Sequence, residues 1–119
     1  MPLNCGDIVL VPVPDTSGKP GKARPVLVVS ADHNNHRLQD VIVAVITSTT
    51  IRVRVETMQF LIEVSSPEGK QSGLLNDSAV KCERLHAILQ NLIHRTIGSL
   101  SPTTLLQIND CLKAALDLP

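Results

Sequence analysis

The amino-acid sequence predicts a mainly β domain that ends in one amphipathic helix. Val26–Val29 and Val41–Ile46 are β-branched apolar runs, too short for a typical helix and rich in strand formers. Beyond Ser101 the apolar residues recur instead at helical spacing. A chain of 119 residues is long enough for one domain with a real core and too short for two, so residues 1–119 are predicted to form a single domain.

The composition indicates a compact protein outside the membrane. Hydrophobic residues make up 43% and charged residues 18% of the chain, which argues against disorder. No apolar run approaches the roughly 18 residues of a transmembrane helix, and no basic region followed by an apolar stretch opens the chain. We therefore expect a cytoplasmic protein with no secretory signal. The net charge of zero gives no general attraction for nucleic acid.

The residues that most often bind metals are few and scattered. The three cysteines, at positions 5, 82 and 111, are widely spaced and form no CxxC pair, which predicts buried reduced thiols. His33 and His36 are three residues apart, but the Asn-Asn between them indicates a turn, and no third ligand follows. We expect neither a metal site nor a cofactor.

The first two strands are joined by a polar loop. Ile8–Val11 is an apolar run of strand length, and the prolines that follow restrict further pairing. The segment Asp15–Arg24 then holds two glycines, a proline and the lysines Lys19 and Lys22, a composition typical of a surface loop. Such loops often carry function, although a plain solvated connection has the same composition.

The ends of strands two and three bring the first candidate chemistry. Arg24 stands where strand two begins, and Thr47 and Ser48 stand where strand three ends. If the two strands pair, the guanidinium and the hydroxyls lie close together at one end of the sheet, an arrangement that suits a phosphate. The alternative is that the hydroxyls bond only to the local backbone.

The middle of the chain continues the β pattern. Ile51–Val55 alternates apolar and charged residues and predicts a half-exposed strand, and Phe60–Val64 predicts another. Ser65–Gly69 has the composition of a loop. Ala79–Ile88 predicts a further strand, whose alternation slips at Arg84–Leu85.

Within that strand, Lys81 and Glu83 are two residues apart and are expected to share one face. This spacing places a cation beside a carboxylate. A surface salt bridge is the alternative to a functional pair.

The C-terminal part is predicted to be helical. A shorter helix is expected within residues 89–97. Ser101 is then a candidate N-cap and Pro102 fits the first helical position, so a helix is predicted over residues 102–117. Its apolar stripe needs a partner, either the sheet of the same domain or a second copy of the chain.

Several segments, taken in order, resemble the MazF/PemK family of toxins from type II toxin–antitoxin systems. They are GDIVLVPVP (Gly6–Pro14), KARPVLVVSAD (Lys22–Asp32), VIVAVITS (Val41–Ser48), SGLLNDSAVKCERL (Ser72–Leu85) and, more weakly, IGSLSPTTLLQI (Ile97–Ile108). The resemblance implies an SH3-like β-barrel of antiparallel strands with a C-terminal helix. It also implies a homodimeric, metal-independent endoribonuclease that cuts single-stranded mRNA and is neutralised by a cognate antitoxin.

The resemblance also assigns roles to single residues. Arg24 and Thr47 match the arginine and threonine of the family's active site, where they would bind the phosphate. Lys81 and Glu83 fall where many members carry an arginine and an aspartate. Glu83 would accept the proton of the attacking 2′-hydroxyl, Lys81 would assist electrostatically, and His86 is an alternative acid or base.

The expected substrate contacts are weaker than in many relatives. Residues expected to bind the RNA are Lys19, Lys22, Ser48, Arg84 and His86. Single-stranded RNA is usually held by stacking on aromatic rings, but this chain has only Phe60 and no Trp or Tyr. The arginines at positions 52, 54 and 84 are candidates to stack instead. The competing hypotheses are a catalytically silent protein-binding member of the same fold and, last, a small-molecule binder.

Overall fold

The protein is described by a computed structural model that covers residues 3–13, 21–50 and 56–119. Its elements are β1 (Asp7–Pro12), β2 (Ala23–Val28), α1 (Asp32–Asn35), β3 (Asp40–Thr47), β4 (Gln59–Ile62), α2 (Pro67–Ser72), β5 (Ser78–Leu89), a 3₁₀ helix (Gln90–Leu92), β6 (Arg95–Ser99) and α3 (Pro102–Leu116). The strands form one antiparallel sheet in the order β4-β5-β3-β2-β1-β6, curled into a half-barrel. The predicted mainly β fold with a C-terminal helix is confirmed.

Both faces of this sheet are covered, which explains why β1, β2 and β3 have continuous apolar sequences instead of alternating ones. One face, here called the helix face, packs under α3. Its core cluster includes Ile8, Leu27, Ala44, Ile46, Val80 and Cys82 of the sheet, together with Ile108 and Cys111 of α3. The opposite face contains a second cluster that includes Val9, Val11, Val26, Val28, Val41, Val43 and Ile88.

The strand β5 contains a bulge where its alternation slips. Ala44 of β3 pairs with Leu85, but the next residue, Val45, pairs with Lys81, so the three residues 82–84 have no partner on β3. The Cys82 N–H donates instead to the Met58 carbonyl oxygen at 3.0 Å. The slip in the sequence therefore marks a bend of the strand next to Lys81.

The helix α3 begins and packs as predicted. The Ser101 side chain accepts a hydrogen bond from the Thr104 N–H at 3.2 Å and caps the helix. The buried stripe of Thr104, Ile108 and Cys111 packs against β4 and β5 of the same chain. Of the two partners considered for this stripe, the domain's own sheet is the one observed. Among the described residues, no helix is long and apolar enough to cross a membrane.

One predicted loop is helical. Ser65–Gly69 was expected to be a loop, but α2 begins inside it, because the Ser66 side chain caps the Gly69 N–H at 3.0 Å and Pro67 fits the first turn. The helix ends after one and a half turns at Gly73, whose φ of +75° is left-handed. A helix this short shows no apolar period, which is why the composition of its start indicated a loop.

The prediction for residues 89–97 is also wrong in part. A 3₁₀ helix of three residues is present, Gln90–Leu92, but Arg95–Ser99 forms the edge strand β6. This strand pairs with β1. It contains a bulge at the point opposite Ile8 and Val9, and the bulge hides the alternation of the β6 side chains. The predicted strand Ile51–Val55 lies outside the described residues.

The three cysteines are unpaired thiols; Cys82 and Cys111 are buried, and Cys5 is half-buried. Burial raises the pKa of the Cys82 thiol to about 12, and the neighbouring Cys111 and Glu83 add to the rise. Burial also raises the pKa of Cys111 and of Cys5. The thiol pair Cys82–Cys111 thus stays protonated where α3 meets β5.

This raised pKa predicts a loss of stability in base. An unfolded thiol deprotonates near pH 9, whereas folded Cys82 keeps its proton until about pH 12. The contribution of the protonated Cys82 thiol to the free energy of unfolding is complete below pH 9. It is lost as the pH rises toward 12, because only the unfolded chain gives up the proton in this range. We expect the urea midpoint under reducing conditions to fall over this range, and to fall less steeply in Cys82→Ala. Equal slopes in the two proteins would contradict the assignment.

Candidate active site

The sheet opens between β2 and β3 at one end. The two strands pair only through Val26–Val28 and Val43–Val45. Beyond that point β2 continues beside β1, where Arg24 pairs with Val11, and β3 continues beside β5, where Thr47 pairs with Ala79. The two strands therefore diverge and leave a gap, here called the fork.

Pro25 explains why the pairing stops there. The Val28 carbonyl oxygen accepts a hydrogen bond from Gly6 on the β1 side, whereas the Val29 N–H donates to Ile42 on the β3 side. Because alternate residues of a strand point the same way, the backbone of position 25 faces β3. Proline has no N–H to donate there, so the ladder ends at Val26.

Replacing this proline tests its role. Pro25→Ala restores an N–H facing the Ile46 carbonyl oxygen, so we expect the ladder to extend and the fork to narrow. The new hydrogen bond, about 1 kcal/mol, roughly offsets the greater freedom of the unfolded chain, so stability should change little. Hydrogen exchange should show a newly protected amide at position 25, and any activity that needs the fork should fall. An unprotected amide in Pro25→Ala would show that the proline does not end the ladder.

Arg24 and Thr47 lie on the two sides of the fork. If the β2–β3 register continued by two residues, these two positions would be directly opposite each other. The Arg24 side chain is exposed and that of Thr47 is half-buried. The Thr49 N–H donates to the Thr47 hydroxyl oxygen at 3.2 Å, which leaves the hydroxyl hydrogen free to donate to a ligand. The guanidinium and the hydroxyl expected at this sheet end are indeed brought together.

A basic cavity lies on one side of the fork, on the face opposite α3. It has a volume of about 510 Å³, and its polar and charged lining residues are Arg24, Thr47, Lys81, Arg84 and His86. None of the described residues that line it carries a carboxylate. Although the chain has no net charge, this cavity concentrates cationic groups and would attract an anion such as a phosphodiester.

A second cavity, here called the leucine cavity, lies on the other side of the fork, on the helix face. It has a volume of about 460 Å³ and is also lined by Arg24 and Thr47, together with Ser48. Its other walls come from β6 and from the segment Gly73–Asn76 after α2. Sequence reasoning did not identify this cavity, because its walls come from elements that are distant in the chain.

Two predicted site residues stand outside both cavities. Glu83 is exposed, on the bulge of β5, and its carboxylate accepts a hydrogen bond from the Gln59 side chain at 2.8 Å. Gln59 is the cross-strand partner of Lys81, but neither Gln59 nor Glu83 is among the residues that line the basic cavity. Lys22 is exposed but is not among the described lining residues. Lys19, Arg52 and Arg54 lie outside the described residues.

The structure also locates the aromatic ring and the paired histidines. Phe60 is half-buried and packs against the helix-face core, and it lines neither cavity. The His36 ring contacts the Asn4 side chain at 3.0 Å. Within the described ranges, no cluster of three or more His, Cys, Asp or Glu side chains could hold a metal ion.

The structure is that of a small, mainly β protein in which a curled antiparallel sheet carries a basic, hydroxyl-bearing fork and is followed by a C-terminal helix. Residues 4–116 match the model of the family described as PemK-like, MazF-like toxin of type II toxin–antitoxin system, and this chain belongs to that family. The match covers nearly the whole chain.

Solved structures show the same fold. An endoribonuclease from a mycobacterial species is 21% identical, with a TM-score of 0.75 over 100% of this chain and 95% of that one. A mycobacterial endoribonuclease in complex with its cognate antitoxin is 23% identical, with a TM-score of 0.74 over 100% and 98%. The Mycobacterium tuberculosis toxin MazF-mt6 is 25% identical, with a TM-score of 0.71 over 93% and 98%.

Proposed function

We propose that this protein is an endoribonuclease toxin that cleaves single-stranded RNA without a metal ion. The observation that carries the proposal is the fork, which sets a guanidinium and a hydroxyl against a cavity of cationic side chains. Membership of the toxin family and the fold shared with named endoribonucleases support it.

Arg24 is proposed to stabilise the reacting phosphate. The 2′-oxygen attacks the adjacent phosphorus while the bond to the 5′-oxygen breaks, which leaves a 2′,3′-cyclic phosphate and a 5′-hydroxyl. Negative charge grows on the two non-bridging oxygens during this step. The planar guanidinium of Arg24 can donate two parallel hydrogen bonds to these oxygens, and Lys81 adds a second positive charge nearby. Arginine stays protonated and therefore cannot itself accept the 2′-proton.

Thr47 is proposed to fix the position of the phosphate. Its hydroxyl oxygen accepts a hydrogen bond from the Thr49 N–H, so its own hydrogen can donate to a phosphate oxygen. Thr47→Val would keep the shape and remove this donor, and it should lower the cleavage rate while leaving the fold intact.

The 2′-proton needs an acceptor, for which His86 and Glu83 compete. His86 is half-buried and lines the basic cavity, whereas Glu83 is not among the lining residues and accepts a hydrogen bond from Gln59. Since an acceptor must come within hydrogen-bond reach of the proton, the geometry favours His86.

Glutamine substitutions separate the two acceptors. We expect His86→Gln to lower the single-turnover cleavage rate by about 10²-fold or more, since a positioned base contributes about 10²- to 10⁴-fold. Glu83→Gln should keep a rate close to that of wild type. The opposite pattern of rates in the two variants would return the role to Glu83.

The proposal includes two partners, a cognate antitoxin and a second copy of the chain. Both follow from the family and from the solved complex of a relative with its antitoxin. Co-expression with the neighbouring gene should restore growth, and light scattering should show a dimer. A chain whose expression leaves both growth and RNA intact would instead be the silent, partner-binding member of the fold.

The direct experiment is digestion of a mixed pool of single-stranded RNA in EDTA. We expect fragments that end in a 2′,3′-cyclic phosphate and begin with a 5′-hydroxyl. Cleavage that requires an added metal ion, or fragments with 5′-phosphates, would contradict the mechanism.

A further inference from the structure

We infer that the leucine cavity binds one unpaired nucleotide next to the cleaved phosphate, and that Arg95 reads its base. This inference rests on the proposed ribonuclease activity and goes beyond it, because it assigns a base-selecting site to the face of the sheet opposite the basic cavity.

The first step is the path of the RNA strand. Arg24 and Thr47 line both cavities, which lie on opposite faces of the sheet. A phosphate held between these two side chains therefore has a cavity on each side. The strand must continue in both directions from that phosphate, so one neighbouring nucleotide lies toward the basic cavity and the other toward the leucine cavity.

The second step is the shape of the leucine cavity. Its volume of about 460 Å³ is that of an ordinary small-molecule site, and Leu74 and Ile97 give it apolar walls. Leu75 lines it with a side chain that is 89% exposed, a large apolar group left in water. A nucleobase has two apolar faces, and one of them would cover Leu75 and remove this side chain from water.

The third step is the chemistry at the edge of the base. Asn76 and Arg95 are exposed and line the same cavity. The Ser78 hydroxyl donates to the Asn76 carbonyl oxygen at 2.8 Å, which fixes the turn without using the Asn76 side chain. The planar guanidinium of an arginine can donate two hydrogen bonds to the neighbouring acceptors of guanine, O6 and N7. We therefore expect a guanine beside the cut.

The test uses a randomised single-stranded RNA library cut by the full-length protein, with cut sites mapped by sequencing from the new 5′-hydroxyl ends. Wild type should prefer guanine at one position adjacent to the cut by about 5- to 150-fold, the range that one bidentate base contact provides. Arg95→Ala should lose that preference at that position alone, and Leu75→Ser should lower the rate for the same substrates. Both side chains are exposed, so neither change should affect the thermal midpoint.

The matched control is Arg37→Ala, which removes an exposed arginine that donates a hydrogen bond to the Asn34 side chain. This arginine lies in the connection between β2 and β3, at the opposite end of these strands from the fork. It should leave the cut-site pattern unchanged. An Arg95→Ala pattern identical to wild type overturns the inference while the ribonuclease proposal stands. A uniform loss at all sites, with a weaker dependence on salt, also overturns it, because Arg95 would then contact only the backbone. If wild type cuts no RNA, the proposed function and this inference fail together.

Discussion

Arg24→Ala is expected to lower the rate of RNA cleavage by about 10²- to 10³-fold, the largest effect on activity of any single substitution in the fork. The loss follows from the charge that grows on the phosphate oxygens, which Arg24 is proposed to bind with two donors in one plane. Arg24→Lys keeps the charge but loses the second donor of the pair. It should recover part of the rate and remain about tenfold or more below wild type.

The measurement is single-turnover cleavage of a short RNA, at enzyme concentrations high enough to saturate binding. Stability should not change in either variant, because Arg24 is exposed. Arg37→Ala serves again as the control for the loss of one positive charge. Residual cleavage in Arg24→Ala equal to that of wild type would remove Arg24 from the mechanism and would leave the fork without a role.

The placement of Arg24 and Thr47 at one end of the sheet could be predicted from the sequence because local patterns determine it. Two short β-branched runs identified β2 and β3 as neighbouring strands, and Arg24 and Thr47 stand at the ends that meet. The contribution of Pro25 was not foreseen, since it depends on which side of the strand position 25 faces. That direction is visible only in the hydrogen bonds of Gly6 and Val29.

The leucine cavity could not be predicted in the same way. Its walls come from β6 and from the segment after α2, and each of these elements was missed for a local reason. The helix α2 is too short to show a period, and the bulge within β6, at Ile97, hides the alternation of its side chains. Their contact depends on two glycines whose importance appears only when the elements are packed together. Glu83 is the opposite case. Its position in the sequence corresponds to one where many members of the family carry an aspartate, but its side chain bonds Gln59 and is not among those that line the basic cavity.

Gly98→Ala is expected to destabilise the protein more than any of the substitutions described above. A Cβ at position 98 would lie 2.3 Å from the Ser72 carbonyl carbon and oxygen, and both groups are backbone, so a side chain cannot simply rotate away. Gly73 makes the reciprocal contact, since a Cβ there would lie 2.1 Å from the Ile97 carbonyl oxygen. Relief requires α2 to move away from β6, at a cost of about 3 kcal/mol or more.

That movement would also displace the Gly73–Asn76 wall from Arg95, so Gly98→Ala should lose base selection beside the cut before it loses cleavage. Chemical denaturation gives the change in unfolding free energy, and Thr96→Ala, an exposed change on the same strand, is the control that should shift it by less than about 0.5 kcal/mol. The fork is built by β2 and β3, away from this contact. A Gly98→Ala protein that remains folded at low temperature should therefore still cut RNA, but with relaxed specificity. A folded variant that kept the wild-type cut sites would show that the contact between α2 and β6 does not shape the leucine cavity.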